Sequence, residues 1–279
     1  MIKNILLGYN GSRGAHVALS QAVDIARPAK ARVHVTMISP LAADEAQASV
    51  GADPFGDVSG LRLGEDVTSG FENTAGDESG EQLEGIAELC QREEVFCTFN
   101  HHYGDPAQRL SALARTANLL VVGRRDEPRP AEAAAVGRVA RALATRPAIP
   151  TLFTDREHLP LKSATLYYEP REAGGRALAI AGEVAHLLNI SLNIVCLGHG
   201  DVDAPAALEE VRTAVRAYHV DGEFIHAAGS LTAALQNTAL SWNDPLVIVP
   251  APPRQLLFGN IESTRVALAL PNTNVLLVP

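Results

Sequence analysis

The chain has 279 residues, 47% of them hydrophobic, with 23 basic and 32 acidic side chains and a formal net charge of −9. A chain this apolar can bury enough surface to offset its ordering entropy, which excludes overall disorder, and its length suits two domains of about 140 residues. The acidic balance argues against a general nucleic-acid binder, because phosphate contacts need a basic face.

In chain order, the apolar run Ile5–Tyr9 reads as a strand that stops at Asn10-Gly11-Ser12, where turn formers meet a helix cap. Ala15, Ala18, Leu19, Ala22, Val23 and Ala26 recur at intervals of three and four, which predicts a helix with one buried stripe, ended by Pro28. A second strand is predicted over Arg32–Ile38. Leu41–Gly80 then breaks the pattern with seven glycines and nine acidic side chains against a single Arg62, the composition of a mobile insertion. Order returns with a helix over Glu81–Arg92, a strand over Val95–Phe99, a loop over His101–Pro106 and a helix from Ala107 towards Thr116. The apolar strand Leu119–Val122 leads through Gly123-Arg124-Arg125-Asp126 into an alanine-rich helix that reaches Thr145, and Thr151–Thr154 closes the set. Such alternation predicts an α/β fold with a parallel sheet covered on both faces and right-handed crossovers.

The pattern then recurs. Ala164–Tyr168 corresponds to the first strand, Arg176–Leu188 to the first helix, Ser191–Leu197 to the second strand and Ala206–Tyr218 to the next helix. Glu223–His226 follows as a strand, Gly229-Ser230-Leu231 opens a helix, Leu246–Val249 is the apolar strand and Val275–Val278 closes. Two domains are therefore expected: residues 1–156, containing the acidic insertion, and residues 163–279, divided where charged residues and Pro160 interrupt the pattern. Leu41–Gly80, with nine acids and one arginine, carries −8 of the net charge, so the two repeats together are close to neutral. The acidic balance thus describes one insertion more than the folded surface.

Lys3-Asn-Ile-Leu-Leu-Gly-Tyr-Asn-Gly-Ser, then Gly104-Asp-Pro-Ala-Gln-Arg-Leu, then Ala117-Asn-Leu-Leu-Val-Val-Gly together resemble the universal stress protein family. With the repeat, the chain resembles the tandem form of that family over nearly all of its length except the acidic insertion. The resemblance implies two domains, each a five-stranded parallel sheet with helices on both faces. It also implies a stress-responsive regulatory role without catalytic apparatus beyond slow ATP hydrolysis, and in many members ATP, with Mg²⁺, at the carboxyl ends of the strands. It places Asn10 near the ribose or phosphates, the backbone at Met37 beside the adenine, and Gly123, Arg124, Gly137 and Arg138 around the phosphates. There, N–H groups of a glycine-rich turn opening a helix can cradle phosphate oxygens.

The chain departs from the family pattern at several of these positions. Asn10 stands where the family has an acid, Asp126 occupies the second glycine position, Gly137 falls one residue late and Arg138 replaces a small hydroxyl residue. Arg124, Arg125, Arg129, Arg138 and Arg141 could restore positive charge for an anion, or simply solvate a loop and a helix face. In the second half Tyr168-Glu169-Pro170 replaces the first-strand motif, and Pro250-Ala-Pro-Pro-Arg254 replaces the start of the glycine stretch. Proline has no N–H to donate, so this half is expected to bind no triphosphate and to act as a structural partner. The alternative reading is a protein-interaction or dimerisation module, as a homodimer, in which both pockets have degenerated.

Other candidate chemistry reads more plainly. His101-His102 near Asp105 invites a metal, but adjacent residues on an extended segment point to opposite sides and a further ligand would be needed. His199–Asp203 reads as a turn, and Ser12 as a helix cap without the order of a hydrolase nucleophile. Trp242 reads as a packing anchor or part of a dimer contact, and Cys97 as a buried small apolar residue. Cys90, Cys97 and Cys196 are widely separated without metal-like spacing, no run reaches a membrane span, and the first apolar run follows no cleavable leader. These features predict a cytoplasmic protein in a reducing compartment, without membrane association.

Overall fold

The central strands carry apolar residues at most positions, which is the pattern of a sheet buried on both faces, while the outermost ones are more polar and more exposed. The structure is a computed structural model and describes residues 2–39, 77–125, 136–170, 172–198, 204–242, 244–251 and 261–279. The first half runs β1 (Asn4–Tyr9), α1 (Arg13–Ala29), β2 (Arg32–Ser39), α2 (Asp77–Arg92) and β3 (Cys97–Tyr103). It continues with α3 (Pro106–Leu113), a 3₁₀ turn (Ala114–Thr116), β4 (Leu119–Gly123), α4 (Arg138–Thr145) and β5 (Thr151–Thr154). The second half runs β6 (Ser163–Tyr168), α5 (Glu172–Leu188), β7 (Ser191–Gly198), α6 (Ala204–Arg216) and β8 (Phe224–Ala228). It closes with α7 (Leu231–Trp242), β9 (Leu246–Pro250), α8 (Ile261–Ala269) and β10 (Asn274–Val278).

All ten strands form one sheet in the order β3-β2-β1-β4-β5-β10-β9-β6-β7-β8. Each half is parallel within itself, as the sequence predicts, and the halves meet where β5 and β10 pair antiparallel, Phe153 opposite Val275 and Thr151 opposite Leu277. Alternation along the strands divides the core. Ile5, Leu7, Val33, Val35 and Val121, with Leu166 and Ile194, face α1, α2, α5 and α6. Leu6, Leu120, Val122 and Phe153, with Val195 and Val249, face α3, α4, α7 and α8. The repeat is legible in side chains: Ala18, Leu19, Ala22 and Ala26 of α1 are buried, as are Ala177, Leu178, Ala181 and Ala185 of α5. Asp105 Oδ1 accepts from Gln108 N at 2.9 Å to cap α3, and Ser230 Oγ accepts from Ala233 N at 3.3 Å in the equivalent place. No helix among the described residues is long and apolar enough to cross a membrane.

Several boundaries differ from expectation for identifiable reasons. Pro28 lies inside α1 and does not end it; the helix stops at Lys30, whose φ of 49° and N–H bond to Arg27 O close the last turn. α2 begins at Asp77, within the span assigned to the insertion, while residues 40–76 lie outside the described residues. β3 continues through His101-His102-Tyr103, expected as a loop, because each pairs with β2: Met37 with His101, Ile38 with His102 and Ser39 with Tyr103. Cys90 and Cys97 are joined by a disulfide, with Cα atoms 6.2 Å apart, in place of the separated thiols expected from spacing. The turn between α2 and β3 brings them together. Cys196 is free and buried, and burial pushes its thiol pKa up.

Arg124 lies at the seam, fully buried. Its Nη1 donates to Leu268 O at 2.9 Å, and its Nη2 bonds Leu270 O and lies 2.7 Å from Asp155 Oδ2. Leu268 and Leu270 stand at the C-terminal end of α8, where the helix dipole favours a cation. Arg125 Nε donates to the other oxygen of Asp155 at 3.0 Å. Asn274 completes the seam, accepting from Asp155 N at 3.1 Å and donating to Gln21 Oε1 at 3.1 Å.

Replacing Arg124 by methionine should therefore cost about 3–5 kcal/mol, read as a lowered urea midpoint, because it strands a buried carboxylate and the α8 carbonyls. For Asp155, burial raises the pKa, but the charge and hydrogen bond of Arg124, the Arg156 amide and Arg125 outweigh it and hold the carboxyl below its ordinary value. A depressed pKa means the stabilisation is complete above the unfolded aspartate value of about 3.9 and is lost as pH falls below it. Urea titrations at a series of acidic pH values should show that loss in the native protein and a shallower one in Asp155→Asn.

Candidate functional site

In an open parallel sheet, ligands favour the crevice at the carboxyl ends of the strands, where connections leave in opposite directions. In the first half this point lies between β1 and β4, which pair from Ile5 opposite Leu119 to Gly8 opposite Val122. The chain leaves β1 through Asn10 and Gly11, the latter at φ 74°, a conformation that favours glycine. Asn10 is exposed, and its Oδ1 accepts from Ser12 N at 3.2 Å and Ser12 Oγ at 2.7 Å. Ser12 Oγ in turn accepts from Ala15 N at 3.2 Å, which caps α1.

Gly123 ends β4 against the start of α1. A Cβ there would sit 3.0 Å from the carbonyl carbon and oxygen of Gly14, so the absence of a side chain lets backbone meet backbone. Gly137 is buried and extended, with φ −62° and ψ 157°, and forms the N-cap of α4 without a side-chain capping bond. Its N–H donates to Arg124 O at 2.8 Å, which ties the start of α4 to the end of β4. Arg138 and Arg141 are exposed on the first turn of α4, which holds no acidic residue. The first-turn N–H groups of such a helix are donors suited to an anion.

Of the residues expected around phosphate, Gly123, Gly137 and Arg138 are brought to this end of the sheet, and Arg124 is a correction. Its guanidinium is turned away and consumed by Asp155, Leu268 and Leu270, and Arg125 is likewise bonded to Asp155. Asp126 and Arg129 lie outside the described residues. Met37 is half-buried near the end of β2, level with Tyr9 on β1 and His101 on β3. His101 Nε2 lies 2.9 Å from Ser39 Oγ, and its ring stands 4.8 Å from that of Tyr103. Burial, then the charges of Arg109 and His101, push the pKa of His102 down. Among the described residues no group of three His, Cys, Asp or Glu side chains is placed to hold a metal.

Sequence reading missed Ser39, His101 and Tyr103 as one rim of this cleft. Only part of this rim recurs in the second half: Tyr168 is level with Cys196 and Cys196 with His226, as Tyr9 is with Met37 and Met37 with His101, whereas Gly198 and Ala228 stand where Ser39 and Tyr103 do. The rest of that half has changed. Glu169 replaces Asn10, and its carbonyl oxygen lies 1.8 Å from where a Cβ on Gly174 would stand, so loop and α5 are pressed together. β9 ends at Pro250, Ala251 donates its N–H to Val278 O, and residues 252–260 lie outside the described residues, as does His199–Asp203.

The family model of the universal stress proteins matches residues 1–154. Over nearly the whole chain the fold is similar to that of a universal stress protein from Archaeoglobus fulgidus DSM 4304, with a TM-score of 0.73, 13% identity, and coverage of 99% of this chain and 97% of that one. A protein of unknown function from Pseudomonas aeruginosa PAO1 has a TM-score of 0.67 at 14% identity, covering 99% and 92%. One assigned to the universal stress proteins, from Pseudomonas aeruginosa UCBPP-PA14, has a TM-score of 0.66 at 15% identity, covering 99% and 93%. Among curated proteins none matches the chain. At such identities the solved structures speak for the fold, and the sequence match over more than half the chain speaks for descent: this chain belongs to the universal stress protein family.

Proposed function

We propose that the chain is a cytoplasmic regulatory binding module of the stress response whose first half takes an adenine nucleotide, ATP with Mg²⁺, at the carboxyl ends of β1 and β4. The supporting observation is the start of α4: a helix terminus whose N-cap, Gly137, has no side chain to bond it, with no acidic residue in its first turn and tied through Gly137 to the end of β4. Its N–H groups, with Arg138 and Arg141, make that end attractive to phosphate. Asn10, the Met37 backbone, Gly123, Gly137 and Arg138 are the proposed contacts, and Arg124 contributes through its backbone carbonyl, which positions Gly137. The second half serves as a structural partner. Binding, with slow hydrolysis at most, is the proposed chemistry, because no nucleophile, base and orienting group converge at the described residues of the cleft.

A second reading, a protein-interaction module without nucleotide, draws on the commitment of both Arg124 and Arg125 to Asp155 and on Asn10 being bonded to Ser12. Thermal unfolding of protein stripped of endogenous ligand, with ATP, ADP, AMP and cyclic AMP, with and without Mg²⁺, separates the two. Nucleotide at a hundred times its Kd should add about 2.7 kcal/mol of stability. Titration calorimetry should give one site per chain, with Arg138→Ala weakening it about tenfold, or 1.4 kcal/mol. Absence of any nucleotide response favours the interaction module, and two sites per chain would overturn the role given to the second half.

A further inference from the structure

We propose that the Cys90–Cys97 disulfide is a reversible redox latch on the edge of the sheet, closed in oxidising conditions and opened by a cellular dithiol. The second half supplies an internal comparison. Its turn from α6 to β8 repeats the turn from α2 to β3: Glu94 and His219 both have φ 55°. Glu94 N donates to Gln91 O at 3.1 Å, and His219 N to Arg216 O at 3.1 Å. Ile86 and Cys90, buried on α2, match Val211 and Val215, buried on α6. Phe96 O accepts from Val33 N on β2, as Asp221 O accepts from Leu192 N on β7. The counterpart of Cys97 is therefore Gly222, where a Cβ would lie 1.8 Å from Leu192 O, so no side chain fits.

The second half thus forms this turn with valine and glycine, and Val215 and Gly222 border a cavity of about 550 Å³ on that edge. The cross-link in the first half is an addition to the fold, not a requirement of it. It is also within reach. Among the described residues β3 is an edge strand with β2 as its one neighbour in the sheet. Cys97 is half-buried next to Phe96, which is 59% exposed, whereas Cys90 is 4% exposed.

An incoming thiolate therefore meets Cys97 Sγ first. It forms a mixed disulfide there and expels Cys90 Sγ as a thiolate, which takes a proton. The second thiol of the reductant then attacks its own sulfur in the mixed disulfide, releasing the Cys97 thiol and leaving the reductant as a cyclic disulfide. Opening unties the last turn of α2 from the first residue of β3, the strand that carries His101 and Tyr103 at its other end. This device does not depend on whether the cleft takes a nucleotide.

The test treats the folded, full-length protein with dithiothreitol, then traps thiols by alkylation for mass spectrometry and follows amide exchange. Two additional alkyl groups, on Cys90 and Cys97, are expected, removable by re-oxidation before trapping. Exchange over residues 89–103 should rise about tenfold while residues 214–228 and the far-ultraviolet dichroism stay unchanged. A disulfide that yields only after global unfolding, reduction that unfolds the chain, or unchanged exchange would each overturn the proposal. Cys90→Ser with Cys97→Ser should show the reduced exchange pattern with or without dithiothreitol; if it does not fold, Cys90→Val with Cys97→Ala, patterned on the second half, decides the point.

Discussion

The guanidinium of Arg124, held between Asp155 and the last carbonyls of α8, is the buried charge at the seam where one half of the molecule meets the other. A buried cation is costly unless its charge is matched, and here a carboxylate and a helix C-terminus meet its two terminal nitrogens, while Nε has no partner among the described residues. The arrangement requires that β4, β5 and α8 keep fixed positions, and the antiparallel pairing of β5 with β10 provides that. It is made once. In the second half Ala251 follows β9 where Arg124 follows β4, so two repeats with one backbone plan carry different chemistry at their seam.

That difference reaches the cleft. A guanidinium that binds across the seam cannot meet a phosphate, and Arg125 is drawn to the same carboxylate. Among the described residues, what remains at the switch point is mainly backbone: the Gly14–Gly123 approach and the opening of α4 at Gly137, with Arg138 and Arg141 as exposed charges. Polarity from backbone donors is insensitive to side-chain substitution, so a cleft can lose an acid at Asn10 and a glycine at Asp126 and still present N–H groups to an anion.

The repeat also acts as a standard against which additions can be recognised. The row Tyr9, Met37, His101 recurs as Tyr168, Cys196, His226, while the disulfide beside it does not recur. Features shared by both halves follow from the strand–helix plan that both must build. Features confined to one half, the Arg124 lock and the Cys90–Cys97 bond among them, are superimposed on that plan.

The sequence by itself determined the order of the strands and of all the helices but one, the duplication and the family, because hydrophobic period and turn residues are local properties written every two to four residues. Thr151–Thr154 and the stripe Ala18, Leu19, Ala22, Ala26 could be read directly. Less could be read where neighbours decide: β3 extends through His101 and Tyr103 because β2 lies beside it, and α1 passes Pro28 because a proline in the final turn removes little. α8 was not read at all, and the insertion was drawn too long by the first residues of α2. Of the candidate site, Gly123, Gly137 and Arg138 were implied by the family resemblance, and the fold brings them to one end of the sheet. The direction of Arg124 was not, since its partners Leu268 and Leu270 lie 144 and 146 residues away, and no local pattern records which of two surroundings a long cation will enter. The tertiary structure decided that by folding the other half's helix terminus onto it, where the two terminal nitrogens of the buried guanidinium meet a carboxylate and two carbonyls.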